Sequence, residues 1–488
     1  MRLEKLPLAE IPSAVMWDFD TQIMVRDYRR GHADIEQMIL AEAITAPLRS
    51  YASIPLFEDT SIPELEAETS KLRLFKPKHI YQHIIADPLY KNSIFNMSGT
   101  FVLGGLGFVF WIIIARLYKT EEVGIATTVI SIMALVSSFT IMGLNSSLIR
   151  YLPQSVNKNE LINSSFVIVT CVALVASTIF LLGVPVFSPQ LAFMRTNLFY
   201  MLSFTILLIF CSLNALIESI FMAFRAAANI LLKNIVISTL KLLLPFALLS
   251  LGAYGIFASA ASAIALGVVA SMLILLLKFK FRPSIAVQRS LLKETSLYSF
   301  ANYMVSFMFN MPSLVLPVII LNSLSATYVA YYYVASMIQS TLLIIPLATA
   351  QSLLAEGSYN EAALKKHVIK ALRTIVAILI PATLAIILLG KILLQFFGKN
   401  YALEAFQFLQ LYSFSTIFTS LLLIANAIFN IKQKIKSLVI LNVLAAVLTL
   451  ALSCAFISGK LVGIGWGWTL GQAIAGLVSL YFIIRATR

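Results

Sequence analysis

The sequence predicts an all-α, polytopic membrane protein with about twelve membrane-spanning helices and a soluble N-terminal extension. Three observations predict it. Hydrophobic residues make up 59% of the 488 positions and charged residues only 12%, with a mean hydropathy of +0.90; a soluble domain is about half apolar and a quarter charged. Twelve apolar runs follow residue 94, each long enough to cross ~30 Å of hydrocarbon at 1.5 Å per residue. The charge of the chain, +14 in all, is concentrated in the loops after every second run.

Residues 1–90 form a mixed-charge segment, read as soluble and cytoplasmic. Up to Ile94 there are 11 Lys+Arg and 14 Asp+Glu. The stretch Asp34 to Ile44, DIEQMILAEAI, has the pattern of a short amphipathic helix, and SIPELEAETS reads as a loop with a helical turn. The first residues lack an apolar h-region, so no cleavable signal peptide is expected. No catalytic motif stands out here.

The expected spans are 95–117, 123–147, 162–186, 197–224, 229–251, 254–278, 297–321, 328–352, 370–390, 404–429, 436–457 and 462–484. The longest polar break among them, Lys278 to Ser296, divides the runs six plus six. The expected organisation is therefore an extension over 1–90, a first group of six over 91–280, a cytoplasmic linker over 281–295 and a second group over 296–488. Positive charge follows the even-numbered spans: Arg150 and Lys158, Arg225, the Lys278–Lys293 cluster, Lys365 to Arg373, and Lys432 to Lys436. Basic loops stay on the cytoplasmic side, which places both termini there. A weak repeat, Ile113–Ile132 laid over Val318–Met337 at an offset of 205, supports the division into halves.

The membrane region contains no aspartate, and 25 Lys+Arg against 8 Asp+Glu. Its basic residues sit between apolar runs, which favours topology signals over a nucleic-acid surface. Cys171, Cys211 and Cys454 lie far apart in apolar runs, so neither a disulfide framework nor a metal site follows. No cofactor is expected.

Several polar residues lie within the spans. Glu218 is ~10 Å before the Arg225 turn and Lys233 lies at a comparable depth beyond it, so the two can pair across the hairpin. Lys241 lies ~18 Å into the fifth span, where an ammonium costs ~3 kcal/mol unless it faces water or a polar interior. One face of the first span carries Asn96, Thr100, Gly104, Gly107 and Trp111. The second carries Thr127, Ser131, Ser138 and Asn145, and the seventh Ser299, Asn302, Ser306 and Asn310. Such faces mark either helix packing or a lumen. Pro312 and Pro317 make the seventh span a candidate bent gate. Tyr328, Tyr331, Tyr332 and Tyr333 suit an interfacial belt. The motif GIGWGWTLGQAIAG lacks a βαβ context, so Gly467 and Gly471 are expected to serve close helix packing.

The block from Asn92 to Gln154 carries an ARLY-like tail on the first span, a short acidic turn, and a second span closing in GLNSSLIRYLP; the hairpin FMAFRAAANILLKN follows later. In these features the region from about Tyr90 to Arg488 resembles the polysaccharide or O-antigen flippases of the multidrug/oligosaccharidyl-lipid/polysaccharide exporter superfamily. The resemblance implies two six-helix bundles around a central cavity. It also implies alternating access and a polyprenyl diphosphate-linked oligosaccharide carried from the cytoplasmic to the outer leaflet of the cell membrane. On that reading Lys241, Lys233, Arg225, Arg150 and Arg116 are the candidate anion-holding residues. Asn302 and Asn96 join them as substrate-binding candidates, and Glu218 is an ion-coupling group or a charge partner. Membrane lipids and other polysaccharide-assembly proteins are the expected partners. An ion-coupled multidrug or cation exporter of the same superfamily is the alternative, resting on Glu218 and Glu404. A membrane glycosyltransferase fits poorly, because the outer loops are short and Glu121–Glu122 is their only acidic pair.

Overall fold

The computed structural model describes residues 88–284, 297–360 and 363–487. The amphipathic segment at 34–44 and most of the 281–295 linker lie outside these residues. Twelve helices long and apolar enough to cross a bilayer follow in order among the described residues. They are α1 Pro88–Leu117, α2 Thr120–Ile141, α3 Lys158–Phe187, α4 Leu198–Ala223, α5 Ala227–Ala247, α6 Gly252–Leu277, α7 Leu297–Ser323, α8 Ala326–Tyr359, α9 Leu364–Gln395, α10 Phe406–Ile431, α11 Ile435–Ala455 and α12 Lys460–Thr487. The chain is a multi-pass, all-α membrane protein. In hydrocarbon every backbone N–H and C=O must find a partner within the segment, and continuous helices meet that condition.

Local chemistry sets the helix ends. Glu121 and Glu122 stand in the first turn of α2, where the helix dipole favours negative charge, and the Glu122 carboxylate accepts from the Lys119 N–H at 3.1 Å. The expected second span does not run through to residue 147. It ends at Met142 (φ 46°) and Gly143 (φ 82°), both left-handed, and a separate short helix, Leu144–Tyr151, carries Arg150. Gly143 adopts that conformation without a Cβ penalty, which makes the break inexpensive there. Pro312 and Pro317 lie inside α7, which stays helical through both. Proline 317 cannot donate to the Ser313 carbonyl four residues back; the Tyr332 hydroxyl reaches that carbonyl at 3.4 Å.

The two groups of six repeat one another more closely in geometry than in sequence. The α4–α5 and α10–α11 turns place Arg225 and Gln433, 208 positions apart, at φ 54° and 53°. The next amide returns five residues in each, Ala226 N–H to Phe221 O and Lys434 N–H to Phe429 O, both at 2.8 Å. The α5–α6 and α11–α12 turns are equally alike. Gly252 and Lys460 have φ 54° and 53°, and a Cβ on Gly255 or Gly463 would meet a carbonyl oxygen at 2.1 or 2.0 Å. The α1–α2 and α7–α8 junctions, capped by Lys119 and Ser325, are offset by 206 positions, one more than the sequence alignment suggests.

The loops after even-numbered helices define a basic face; the other ends define the opposite face. At the opposite face the bundles join. Gly124 of α2 lies so close to α8 that a Cβ there would sit 1.7 Å from the Ala326 carbonyl oxygen. Trp111 of α1 meets Tyr333 of α8 at 4.6 Å, and Phe108 meets Phe397 at 5.2 Å. The Arg116 guanidinium donates to the carbonyls of Gln395 and Phe396, both at 3.0 Å. These are carbonyls left over at the C-terminal end of α9, where positive charge is favoured. Tyr331 and Tyr332 are buried, Tyr332 against Phe408 and Tyr412 and Tyr331 against Tyr401, so the tyrosine cluster fills packed seams and does not form a lipid-facing belt. Gly467 and Gly471 admit α11 closely, with Cβ positions 2.3 Å from Leu452 O and 2.6 Å from Thr449 Cα.

Gly124→Ala must push α2 and α8 apart and is expected to cost about 1–3 kcal/mol, lowering the unfolding temperature of the purified protein. Gly104→Ala, whose Cβ meets nothing within 4 Å, is expected to leave it unchanged or raise it.

Candidate functional site

Below the joined end, α1 and α8 part. The face of α8 that carries Tyr333 continues two to five turns on as Ser340, Ile344, Ala348 and Gln351, all exposed. On α1 the face that carries Trp111 continues as Gly107 and Gly104, where a Cβ would meet open space. The result is a wedge that is closed at the opposite face and open toward the basic face. One edge of the wedge is held by α2 and α7, where the Tyr303 hydroxyl donates to Ser138 O at 3.0 Å and Phe139 meets Phe307. Ser306 and Asn310 of α7 are exposed, and Asn310 donates back to Ser306 O at 2.8 Å. Thr127 and Ser131 of α2 are buried in the seam, so that stripe serves packing. The side chains of Asn96 and Asn302 lie outside the described residues; their helices are α1 and α7.

The ionic residues separate into three groups. Lys233 and Glu218 pair across the α4–α5 hairpin, as their depths predict. Lys233 Nζ donates to Glu218 Oε1 at 2.5 Å and to Asn214 Oδ1 at 2.7 Å. Asn214 and Glu218 are one turn apart on α4, so a single ammonium engages both. The lysine side chain is fully buried while 38% of the Glu218 side chain is exposed. Gly267 of α6 lets the adjacent Ile237 of α5 pack closely, with a Cβ position 2.4 Å from its Cγ1. Lys233 is thus already occupied, and Glu218 is the accessible member of the pair. At the equivalent positions of the second bundle stand Asn426 and Leu441. There the polar contact is a reciprocal amide pair, Asn426 with Asn442, at 3.1 and 2.8 Å.

Lys241 is different. It is half-buried and has no hydrogen-bond or ion-pair partner among the described residues. Its position on α5 lies between the stripe that meets α1, marked by Asn234 beside Gly99, and the stripe that meets α6, marked by Ile237 beside Gly267. It therefore faces the interior of the first bundle. Helix α5 starts two residues earlier than the sequence suggests, so Lys241 lies deeper, about 21 Å along it. Pro245, four residues on, leaves the Lys241 carbonyl without its helical donor. The Ser238 hydroxyl and the Asn234 amide oxygen on the same side of α5 are also buried without a partner. An unpaired ammonium, a freed carbonyl and two unsatisfied polar atoms thus share one column. Buried polar groups left this way cost free energy unless water or a ligand meets them.

The arginines lie at the two faces. Arg150, on the short helix after α2, is exposed with its guanidinium 5.5 Å over the Tyr151 ring. Arg225 is exposed at its turn, about 24 Å along α5 from Lys241. Both stand on the basic face. Arg116 is engaged at the closed end and does not line the wedge. Nearby, the Tyr118 hydroxyl donates to Pro245 O at 2.8 Å and ties α1 to the end of α5. Burial pushes the Tyr118 phenol up, and the Glu122 carboxylate adds to the effect, so it remains a donor. The Arg116 latch and the Pro245 link were hidden in the sequence because both use backbone carbonyls.

Glu218→Asn leaves the Lys233 ammonium buried without its counter-charge and is expected to destabilise by about 3–5 kcal/mol. Glu218→Asn combined with Lys233→Leu reproduces the residues of the second bundle. It should be milder than the single change, and comparing the unfolding temperatures of single and double variants checks this.

Comparison with known proteins fits this architecture. A family model described as "Polysaccharide biosynthesis protein" matches residues 89–352. None of the curated proteins matches. Among solved structures, the chain is similar to the inward-facing conformation of a multidrug resistance MATE family transporter of the MOP superfamily. That likeness has a TM-score of 0.61 at 17% identity and covers 81% of this chain and 98% of that one. The outward-facing conformation of a MATE family transporter of the same superfamily gives a TM-score of 0.57 at 16% identity, covering 82% and 96%. A MOP superfamily transporter from Pyrococcus furiosus, described as having a binding pocket of reverse polarity that suggests a different function, gives 0.56 at 16%, again covering 82% and 96%. With its twelve apolar helices and a family match over more than half its length, the chain is a multi-pass membrane protein that belongs to the polysaccharide biosynthesis protein family.

Proposed function

We propose that the protein moves an oligosaccharide linked to a polyprenyl diphosphate from the cytoplasmic to the outer leaflet of the cell membrane by alternating access. Lys241 carries this reading. An ammonium that deep costs ~3 kcal/mol in hydrocarbon, and the described residues hold no carboxylate against it. A diphosphate passing through the bundle offsets that charge, and the unsatisfied Ser238 and Asn234 atoms add polar contacts. The basic face is cytoplasmic on the loop-charge rule, so the wedge opens toward the cytoplasm. Arg150 and Arg225 stand at its rim to collect the anionic head group. The opening between α1 and α8 lets the lipid tail remain in the bilayer while the sugars occupy the wedge, with Asn96 and Asn302 on its helices. Release on the far side requires the Arg116 latch to part. The extension over 1–90 is assigned a regulatory or partner-binding role, in keeping with its mixed charge.

A reconstituted flipping assay with defined lipid-linked sugars tests this. Lys241→Ala should insert normally, since it removes an insertion penalty, and flipping should fall at least tenfold, the loss of about 1.4 kcal/mol. Lys241→Arg should keep part of the activity, because the charge remains while its geometry changes.

The second reading is ion-coupled export of organic cations, and the 38% exposure of the Glu218 side chain favours it. It requires Glu218→Gln to abolish transport while Lys241→Ala transports like the parent. Tag-accessibility mapping checks the orientation: a Lys278–Ser296 loop found outside would reverse it.

A further inference from the structure

A second basic site lies outside the wedge. At the basic-face ends of α10, α11 and α12 is a cleft of about 290 Å³. Phe429 and Phe482 form its floor, edge to face at 5.3 Å. Lys432, Lys434 and Arg485 surround it with the Ser437 hydroxyl, and among the described residues no carboxylate lines it. The Lys432 ammonium is fixed by donating to Ala486 O at 3.1 Å.

The internal repeat supplies a control. The same backbone geometry occurs 208 residues earlier, where Phe224, Ala226, Asn229 and Leu277 replace Lys432, Lys434, Ser437 and Arg485. There Phe224 stacks on Phe279 at 4.9 Å and fills the space. The fold therefore does not need the three cations; one bundle forms the same turn without them. Like charges gathered without a counter-charge repel one another, and an anion relieves that repulsion.

The surroundings decide what kind of anion. Ile440 of α11 and Leu477 and Tyr481 of α12 are exposed large side chains on the same helices, at 66%, 60% and 59%. In a membrane-spanning helix such residues face lipid. A cationic cleft at the helix ends that adjoins an apolar outer surface matches an amphiphile, head group in the cleft and chains along the helices. We infer that this cleft binds the phosphate head group of an anionic membrane lipid in the leaflet at the basic face. Basic pockets between transmembrane helices take such head groups. Bound there, the lipid clamps the α10–α11 turn to the end of α12. This site is separate from the proposed transport of a lipid-linked sugar and stands whether or not that reading does.

The test uses the full chain. The parent is taken from phosphatidylcholine vesicles containing phosphatidylglycerol, and retained lipid is read by native mass spectrometry. Phosphatidylglycerol should be retained over phosphatidylcholine. Lys432→Gln/Lys434→Gln/Arg485→Gln should weaken that preference about a hundredfold, at the strength of juxtamembrane cations. Lys278→Gln/Lys280→Gln/Arg282→Gln removes the same charge from the first bundle and should leave it unchanged. Lys434→Gln/Arg485→Gln keeps the Lys432–Ala486 bond and should still lose more than tenfold, which covers a triple variant that folds poorly. Equal retention by the parent and the double variant would overturn the proposal. So would inorganic phosphate alone raising the unfolding temperature as much as phosphatidylglycerol does, which would mark a small-anion site.

Discussion

The close approach of α2 to α8 at Gly124 sets what the two bundles can do. Where the position for a Cβ lies 1.7 Å from the Ala326 carbonyl oxygen, only glycine fits. That contact brings the helix starts together at the opposite face, and the Trp111–Tyr333 and Arg116–Gln395 contacts gather around it. The bundles meet there and along the α2–α7 edge, so separation at the basic face is confined to the α1–α8 side. A lateral, one-sided wedge follows from where the backbones touch. That end is held by the Arg116 bonds to Gln395 and Phe396, by bonds from Ser188 and Gln190 to Asn322 and Leu321 of α7, and by buried aromatic packing around Trp111 and Tyr332.

Within this frame the three deep ionic residues of the first bundle are handled in two ways. Lys233 is neutralised within the hairpin by Glu218 and Asn214, and the second bundle solves the same position with an amide pair. A buried ion pair adds little net stability over apolar packing, because desolvation offsets the attraction. The pair is therefore a departure from what the fold needs, and its accessible member is the carboxylate. Among the described residues Lys241 receives no counter-charge. The proline four residues on removes a helical donor at the same level, so polarity accumulates in one short stretch of α5.

The internal repeat separates what the architecture requires from what was added to it. Two hairpin turns, with left-handed Arg225/Gln433 and Gly252/Lys460 and the close-packed Gly255/Gly463, recur at a spacing of 208. Chemistry does not recur. The first bundle holds the ion pair and the unpaired lysine; the second holds the buried amides and the basic cleft at its end. Equal scaffolds with unequal side chains locate specialised sites without reference to any other protein.

The sequence by itself determined the membrane class, twelve crossings and the basic face. These depend on hydropathy and loop charge, which are local and additive along the chain. It also indicated the Glu218–Lys233 pair, since two residues on one hairpin at equal depth are neighbours by helical rise alone, and the packing role of Gly467 and Gly471. Only the tertiary structure decided the rest. The break at Met142–Gly143 hides in an apolar run. The tyrosine cluster suits an interface by type but fills packed seams, because burial depends on which helices flank it. Arg116 reads as a free cation until α9 brings its terminal carbonyls alongside, and Lys241 differs from Lys233 only in what stands opposite. Carbonyl partners carry no residue-type signal, and neighbours distant in sequence have no fixed spacing, so such contacts become definite only when the helices are packed.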